Sequence, residues 1–158
     1  MWETPEVFET SGVWRGLGSP LVGKSWQEMG VLVMGKVPSV GLTVTGIPVN
    51  AAVKAGDLVG ITAGKMVLAL ASVAGQVKAL GVAAASYGVG DLGAMHAMAE
   101  VDGFAGLVVG DPQYLSETVA GGVQAAAPVG IGKLKQVVGF GVFADGMMFV
   151  FQDAGVVL

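Results

Sequence analysis

The only histidine, His96, is the residue best suited to acid–base or nucleophilic chemistry, and carboxylates follow it at Glu100 and Asp102. A catalytic histidine needs a carboxylate that orients its ring and a nucleophile beside it in space. His96 instead lies in the apolar, strand-like run Ala94–Met98, where a hydrogen bond to the backbone would satisfy the ring. We therefore predict a structural or interfacial role for His96 and no enzymatic activity.

Ligands for a metal or a phosphate group are sparse. One histidine and no cysteine rule out histidine-rich and thiolate metal sites. Gly35-Lys36 and Gly64-Lys65 lack the rest of a phosphate-binding loop. Four acidic residues lie near one another without the spacing of a calcium loop: Asp91, Glu100, Asp102 and Asp111. We expect no metal and no cofactor.

Lys65 offers an alternative chemistry, the attachment of a prosthetic group. Val53–Asp57, Gly64–Met66, Gly75–Val77 and Gly90-Asp91 resemble the layout of biotin- and lipoyl-carrier domains, which modify a lysine on a hairpin turn. Biotin carriers usually have a methionine before that lysine, and here Gly64 takes its place. The similarity covers under half of the chain. It implies a carrier domain modified on Lys65 as the alternative function.

The first forty residues carry large side chains suited to binding a protein partner. All three tryptophans lie there, evenly spaced, and glycine, serine and proline interrupt the segment. No helical period or strand alternation runs through residues 1–30. Because tryptophan is enriched among the residues that dominate interface energies, we predict an extended N-terminal arm over residues 1–40. Its anchors would be Trp2, Phe8, Trp14 and Trp26, with Arg15 and Lys24 as ion-pair partners.

The composition favours assembly with other subunits. Hydrophobic residues make up 53% of the chain and charged residues 13%, against about 25% charged in typical domains. So few charges would not coat a free monomer, so we expect neighbouring subunits to cover part of the apolar surface. The even spacing of the tryptophans and the polar residues between them favour an arm that reaches a neighbour over one that packs on its own body. A very apolar core beneath a glycine-rich surface is the alternative.

Two partner classes are not expected. The formal net charge of −4 gives no reason to predict nucleic-acid binding. The apolar stretches between Lys65 and Lys78 and between Lys78 and Asp91 are shorter than the about 18–20 residues of a membrane-spanning helix.

Residues 41–158 are typical of a β-rich body. The chain has 27 glycines, many between short apolar runs, and glycine costs about 1 kcal/mol relative to alanine inside a helix. The turns Ala63-Gly64 and Asp145-Gly146 predict two hairpins. Their strands are predicted at Asp57–Thr62, Lys65–Leu70, Val137–Ala144 and Met147–Gln152, and further strands at Gly41–Gly46, Gln76–Ala85, Gly93–Glu100 and Phe104–Val109.

The body also contains a faint internal repeat. One copy begins at Gly56-Asp57, passes the turn Ala63-Gly64 and ends in residues 76–83. The other begins at Gly110-Asp111, passes Ala120-Gly121 and ends in residues 135–142. A duplicated β-unit that closes into a small barrel or sandwich would explain the pattern. Chance similarity in a chain rich in glycine, alanine and valine is the competing explanation.

The C-terminal third carries a recognisable motif. Gly110–Ser116, Ala120–Val123, Ala127-Pro128 and Lys135–Phe140 resemble a signature of tailed-phage structural proteins, found in head decoration proteins and head fibres. Gly56–Val59 and Leu80–Ala83 resemble the first half of the same β-module. The similarity covers about residues 50–158.

The resemblance to phage head decoration proteins implies an all-β fold, with a small β-barrel or sandwich-like (β-tulip-like) body and an extended N-terminal arm. It implies a non-enzymatic homotrimer on the outer capsid surface of the virion, bound to the major capsid protein, that stabilises the shell. The arm resembles those that some decoration proteins, including those of hot-spring phages, drape over adjacent subunits. A single asparagine and no cysteine suit a thermophilic phage, whereas the low lysine and glutamate content does not. A head-fibre or tail protein remains an alternative, although the arm and the lack of coiled-coil heptads favour decoration.

Overall fold

The computed structural model describes residues 38–39, 42–152 and 155–158. This part of the chain forms thirteen strands and no helix, which confirms the all-β fold and leaves no helix there that could cross a membrane. The strands are β1 Pro38–Ser39, β2 Thr43–Pro48, β3 Leu58–Thr62, β4 Lys65–Leu68, β5 Gly81–Ala83, β6 Leu92–His96, β7 Met98–Asp102, β8 Pro112–Leu115, β9 Val123–Gln124, β10 Leu134–Lys135, β11 Val137–Gly141, β12 Gly146–Val150 and β13 Val156–Val157.

Two antiparallel sheets make up most of the body. Sheet A has six strands in the order β1-β7-β12-β11-β8-β9, and sheet B has five in the order β2-β6-β5-β3-β4. A separate two-stranded sheet pairs β10 with β13. None of these sheets closes on itself among the described residues, so both large sheets have open edges. Pro38 and Ser39, at the end of the predicted arm, pair with Val101 and Glu100 of sheet A.

The two large sheets repeat one topology. In sheet B the strands β2 to β6 lie in the order first, fifth, fourth, second, third. In sheet A the strands β7, β8, β9, β11 and β12 lie in the same order, with β1 added outside β7. This agreement favours duplication of one β-unit over chance similarity in sequence. We call β2–β6 the first repeat and β7–β12 the second.

The Gly-Asp pair that opens each copy in sequence forms the same structure in both repeats. Gly56 and Gly110 have φ values of 80° and 84°, the left-handed region that glycine adopts most readily. The Gly56 N–H donates to the Ala83 carbonyl at 2.9 Å, and the Gly110 N–H donates to the Gly141 carbonyl at 2.8 Å. In return, the N–H groups of Ala83 and Gly141 donate to the carbonyls of Asp57 and Asp111. The turn therefore binds the second strand of each repeat to its fourth.

Two apolar clusters form the core. The larger contains Leu58 and Val82 of sheet B together with Val101, Met147 and Phe149 of sheet A, so it joins the two sheets. The smaller lies on the other face of sheet B and contains Ile47, Val49, Val53, Val59, Met66, Ala83 and Met95.

One extended run connects the sheets. The sequence predicts a single strand over Gly93–Glu100, and the structure divides this run into β6 of sheet B and β7 of sheet A. Ala97 lies at the junction: its N–H donates to the Leu42 carbonyl at 2.7 Å, and its carbonyl accepts from the Phe151 N–H at 3.1 Å. The run changes hydrogen-bonding partners at this residue and so passes from one sheet to the other.

Two predicted strands are wrong wholly or in part. Phe104–Val109 forms no strand, because Gly103 and Gly106 adopt φ values of 89° and 71° and interrupt the extended backbone. Of Gln76–Ala85, only Gly81–Ala83 is a strand.

Both predicted hairpins exist, but one turn is misplaced. Gly146 begins β12 instead of belonging to the turn, and its carbonyl accepts from the N–H groups of Val142 and Phe143. A Cβ on Gly146 would lie 2.7 Å from an oxygen of Asp102. A side chain at this position would therefore displace the Asp102 carboxylate, whereas the backbone of Gly146 is not in the left-handed region that a type I′ turn would need.

Candidate interaction surface

Sheet A has two faces of different exposure. Alternate residues of a strand point to opposite faces, and directly paired residues share a face. The row Ala99, Phe149, Gly139 and Gln113 is buried against the larger core cluster. The next row, Glu100, Met148, Phe140 and Pro112, points the other way, and none of its members is buried.

The outward face is mainly apolar. Val150 pairs with Met98 beside the Glu100 row, and Tyr114 pairs with Val137 on the far side of a β-bulge. Met98 is 51% exposed and Phe140 is 42% exposed. Five apolar side chains run continuously across β7, β12, β11 and β8, and we call them the apolar strip: Met98, Val150, Met148, Phe140 and Pro112.

The strip is narrow and mainly apolar. Four adjacent strands span about 14 Å at the usual spacing of about 4.8 Å. Glu100 is the one charged side chain within the strip's central row, and Asp102 lies beyond it on β7. Contiguous exposed apolar surface of this kind typically marks an interaction site.

Three residues of the C-terminal segments singled out in the sequence contribute to this outward face. Pro112 and Tyr114 lie on β8, and Phe140 lies on β11, the strand paired with β8. The motif is thus concentrated in neighbouring strands of sheet A, where residues far apart in sequence meet on one surface.

Sequence reasoning did not identify the apolar strip. The run Met147–Phe151 is continuously apolar, which indicates a strand with two apolar faces. That signal is normally read as burial on both sides, and nothing in it shows that one face stays open.

His96 lies on β6 with one side-chain hydrogen bond. Its Nδ1 is 2.8 Å from the Thr43 hydroxyl oxygen on β2, so the ring has a side-chain partner in place of the expected backbone one. On the other side of β6, His96 pairs with Val82 of β5, which is fully buried.

Two acidic residues stabilise turns, and a third, Glu117, forms an ion pair with Lys133 at 2.8 Å. Asp57 accepts from the Lys54 N–H at 2.8 Å, and Asp91 accepts from the Gly88 N–H at 2.7 Å. Within the described ranges, no three histidine, aspartate or glutamate side chains converge as metal ligands.

Lys65 lies at the end of a tight hairpin. Ala63 and Gly64 have φ values of 51° and 75°, as the two central residues of a type I′ turn require. Lys65 begins β4, pairs with Thr62 and is exposed. A modifying enzyme would therefore have access to its amine.

The predicted arm residues lie outside the described part of the chain. They are Trp2, Phe8, Trp14, Arg15, Lys24 and Trp26. Searches of protein-family models, of curated proteins and of solved structures found no match to this chain.

Proposed function

We propose that this chain is a non-enzymatic structural protein that binds the outer surface of a tailed-phage capsid and stabilises the shell. It acts as a homotrimer bound to the major capsid protein, and its N-terminal arm contacts neighbouring subunits. The fold proposed with this function is a small barrel- or sandwich-like body of the β-tulip type. Two open sheets that share one core support the sandwich-like form of that body.

The observation that carries the proposal is the position of the motif residues. Pro112, Tyr114 and Phe140 belong to the segments that resemble the phage signature, and they lie together on the outward face of sheet A. Other residues of the same segments, Gln113, Leu115, Gln136 and Val138, are buried, so the motif also serves the core. Its outward members contribute to an apolar surface, as expected of a protein that works by binding other subunits.

The proposed mechanism is added buried interface. A protein that binds the assembled shell and not its dissociated subunits shifts the equilibrium towards the shell. Many copies on one capsid would oppose the outward pressure of packaged DNA. The tryptophans of the arm would contribute most of the binding energy, because interface energies concentrate in a few large, buried side chains.

The test is co-sedimentation of the chain with empty tailed-phage capsids that lack it, followed by thermal disruption of the decorated and bare shells. We expect saturable binding and a higher disruption temperature for decorated shells. Absence of binding, or binding without a change in disruption temperature, would overturn the proposal.

Lys65 supports a second candidate function, that of a prosthetic-group carrier. Its position directly after a type I′ turn, with an exposed side chain, meets the geometric need of a carrier lysine. Co-expression with biotin or lipoate ligases and intact-mass measurement would test it. A mass increase that Lys65→Arg abolishes would favour the carrier function, and an unmodified chain would exclude it.

A further inference from the structure

The chain contains one Asp-Pro peptide bond, and it lies where the second Gly-Asp turn enters sheet A. Asp111 is the second residue of that turn, and Pro112 is the first residue of β8. Residues 108–112 are all exposed, so water reaches the bond. An Asp-Pro bond is chemically labile, because the aspartate side chain can attack its own backbone carbonyl and the proline nitrogen leaves as a basic secondary amine.

The carbonyl oxygen of this bond accepts two hydrogen bonds. The Gly141 N–H of β11 donates to the Asp111 carbonyl at 3.1 Å. The Nε2 of Gln113, the residue that follows the proline, donates to the same oxygen in a long bond of 3.4 Å. Donors on a carbonyl oxygen stabilise the negative charge that develops there when a nucleophile adds to the carbon. The Asp111 carbonyl is therefore polarised for attack.

The equivalent turn of the first repeat has the backbone donor but a different aspartate. The Ala83 N–H donates to the Asp57 carbonyl at 2.9 Å, and the residue after Asp57 is Leu58. The Asp57 carboxylate accepts from the Lys54 N–H at 2.8 Å, which holds it in the turn. The Asp111 carboxylate has no hydrogen bond to the described residues, so its oxygens can approach the backbone carbonyl.

Gln113 is the second difference between the repeats. It is fully buried, whereas its counterpart in the first repeat is the apolar Val59. A buried glutamine whose Oε1 has no partner among the described residues destabilises a core, so packing does not account for its presence. Its amide nitrogen bonds to the Asp111 carbonyl, which gives the side chain a part in the chemistry of this bond.

We propose that the Asp111–Pro112 bond is a site of self-cleavage. An oxygen of the Asp111 carboxyl group adds to the backbone carbonyl carbon of the same residue. The C–N bond to Pro112 then breaks, the carboxyl proton passes to the proline nitrogen, and a cyclic anhydride remains at Asp111. Water hydrolyses the anhydride to two carboxyl groups. The net reaction consumes one water molecule and creates a new amino terminus at Pro112.

The cut would leave both fragments in one body. β12 of residues 112–158 pairs with β7 of the preceding fragment along its whole length, and the larger core cluster contains residues of both fragments. Because proline has no N–H, its departure removes no backbone donor from the sheet. The product is a two-chain protein with the same fold. This inference does not depend on the proposed binding to a capsid.

The test follows the purified full chain by intact mass in mildly acidic buffer, which supplies the proton that the leaving nitrogen takes up. Circular dichroism checks that the chain stays folded, and the same chain unfolded in urea gives the intrinsic lability of the bond. Asp111→Ala removes the attacking carboxyl group. Asp111→Glu is its matched control, because it keeps the carboxyl group but must close a larger ring. Gln113→Leu removes the side-chain donor, and Gln124→Leu removes an amide that does not touch the bond.

We expect two fragments, residues 1–111 and 112–158, whose masses sum to that of the chain plus one water. The folded chain should cleave at least about tenfold faster than the unfolded chain, because only the fold supplies both donors. Asp111→Ala should not cleave, and Asp111→Glu should cleave far more slowly than the parent. Gln113→Leu should slow cleavage about tenfold without losing stability, a combination that a purely structural role would not give, while Gln124→Leu keeps the parent rate.

Three outcomes would overturn the proposal. In the first, the folded chain yields no fragments. In the second, it cleaves no faster than the unfolded chain, so the bond shows only the ordinary lability of Asp-Pro. In the third, Asp111→Ala is cut at the same bond, which identifies a protease and not the chain's own carboxyl group as the cause.

Discussion

The side-chain amide of Gln136 pairs with the backbone of Ala79 as a neighbouring strand would. Its Oε1 accepts from the Ala79 N–H at 2.9 Å, and its Nε2 donates to the Ala79 carbonyl at 2.9 Å. Gln136 is 1% exposed and Ala79 is fully buried, so water cannot replace these bonds. Ala79 precedes β5 and Gln136 precedes β11, the fourth strand of each repeat, so the pair joins the two repeats through the core.

The first prediction is that Gln136→Leu strongly destabilises the fold. The substitution keeps an apolar volume at the site but leaves the N–H and C=O of Ala79 buried without partners. Each such group costs about 1–3 kcal/mol, so we expect a loss of about 2–5 kcal/mol in urea unfolding. Gln152→Leu, at an exposed glutamine, is the control and should stay within about 0.5 kcal/mol of the parent chain. A Gln136→Leu variant as stable as the control would show that the amide pairing contributes nothing.

The second prediction concerns Gln113, a buried glutamine whose side-chain amide, unlike that of Gln136, is not fully paired. It is fully buried. Its Nε2 donates a long hydrogen bond of 3.4 Å to the Asp111 carbonyl, and its Oε1 has no hydrogen-bond partner among the described residues. The equivalent residue in the first repeat is Val59, an apolar side chain that is also fully buried. Gln113→Leu keeps a similar volume and removes the unpaired acceptor, so we expect unfolding free energy to rise by about 1 kcal/mol.

The same urea titration checks the result for Gln113, with Gln124→Leu as its control. Gln124 uses both ends of its amide, accepting from the Glu117 N–H and donating to the Ala126 carbonyl. That variant should lose stability where Gln113→Leu gains it. A loss of stability in Gln113→Leu would mean that Oε1 has a partner, such as a buried water.

The third prediction concerns glycines required by close packing. A Cβ on Gly139 would lie 2.0 Å from the Met148 carbonyl oxygen, and one on the equivalent Gly81 would lie 2.8 Å from the His96 carbonyl oxygen. The obstacle is backbone of the adjacent strand, which cannot move without breaking the β11–β12 register. We expect Gly139→Ala to cost about 3 kcal/mol or more in thermal or urea unfolding. Gly88→Ala is the control, because its closest neighbour is a side-chain oxygen at 3.3 Å, and equal losses in the two variants would contradict the packing argument.

The sequence predicted local features of the fold better than pairing between distant segments. The Ala63-Gly64 hairpin followed from residue types alone, because a two-residue turn needs positive φ and the structure gives both residues positive φ. The Gly-Asp repeat was also visible, because the close turn at Gly56 and Gly110 needs glycine in each copy.

What could not be predicted depends on contacts between distant residues. The change of sheet at Ala97 is set by which strands lie on either side of it, and the side chains of β6 and β7 do not encode that choice. Residues 76–80 contain strand-forming residue types, yet Ala79 bonds to a side chain from 57 positions further along and is not part of β5. The apolar strip was missed for a related reason, since an apolar strand face has the same sequence whether or not anything covers it.

The last prediction concerns the N-terminal arm. The body from β1 onward has its own apolar core, formed by one cluster that joins the two large sheets and a second on the other face of sheet B. Deleting residues 1–30 should therefore leave an all-β circular dichroism spectrum and a cooperative unfolding transition, while capsid binding weakens greatly.

The three tryptophans all lie in the deleted segment, so tryptophan emission of the full chain reports on the arm alone. We expect that emission to shift to shorter wavelength on capsid binding, because the indole rings leave water for an interface. Trp14→Ala should reduce affinity by at least about 30-fold if Trp14 is one of the dominant anchors, whereas Val89→Ala, at an exposed residue of the body, should leave it unchanged. If the deletion unfolds the body, the tryptophans belong to the chain's own core. If the shortened chain folds and binds capsids with full affinity, the arm is not the attachment device.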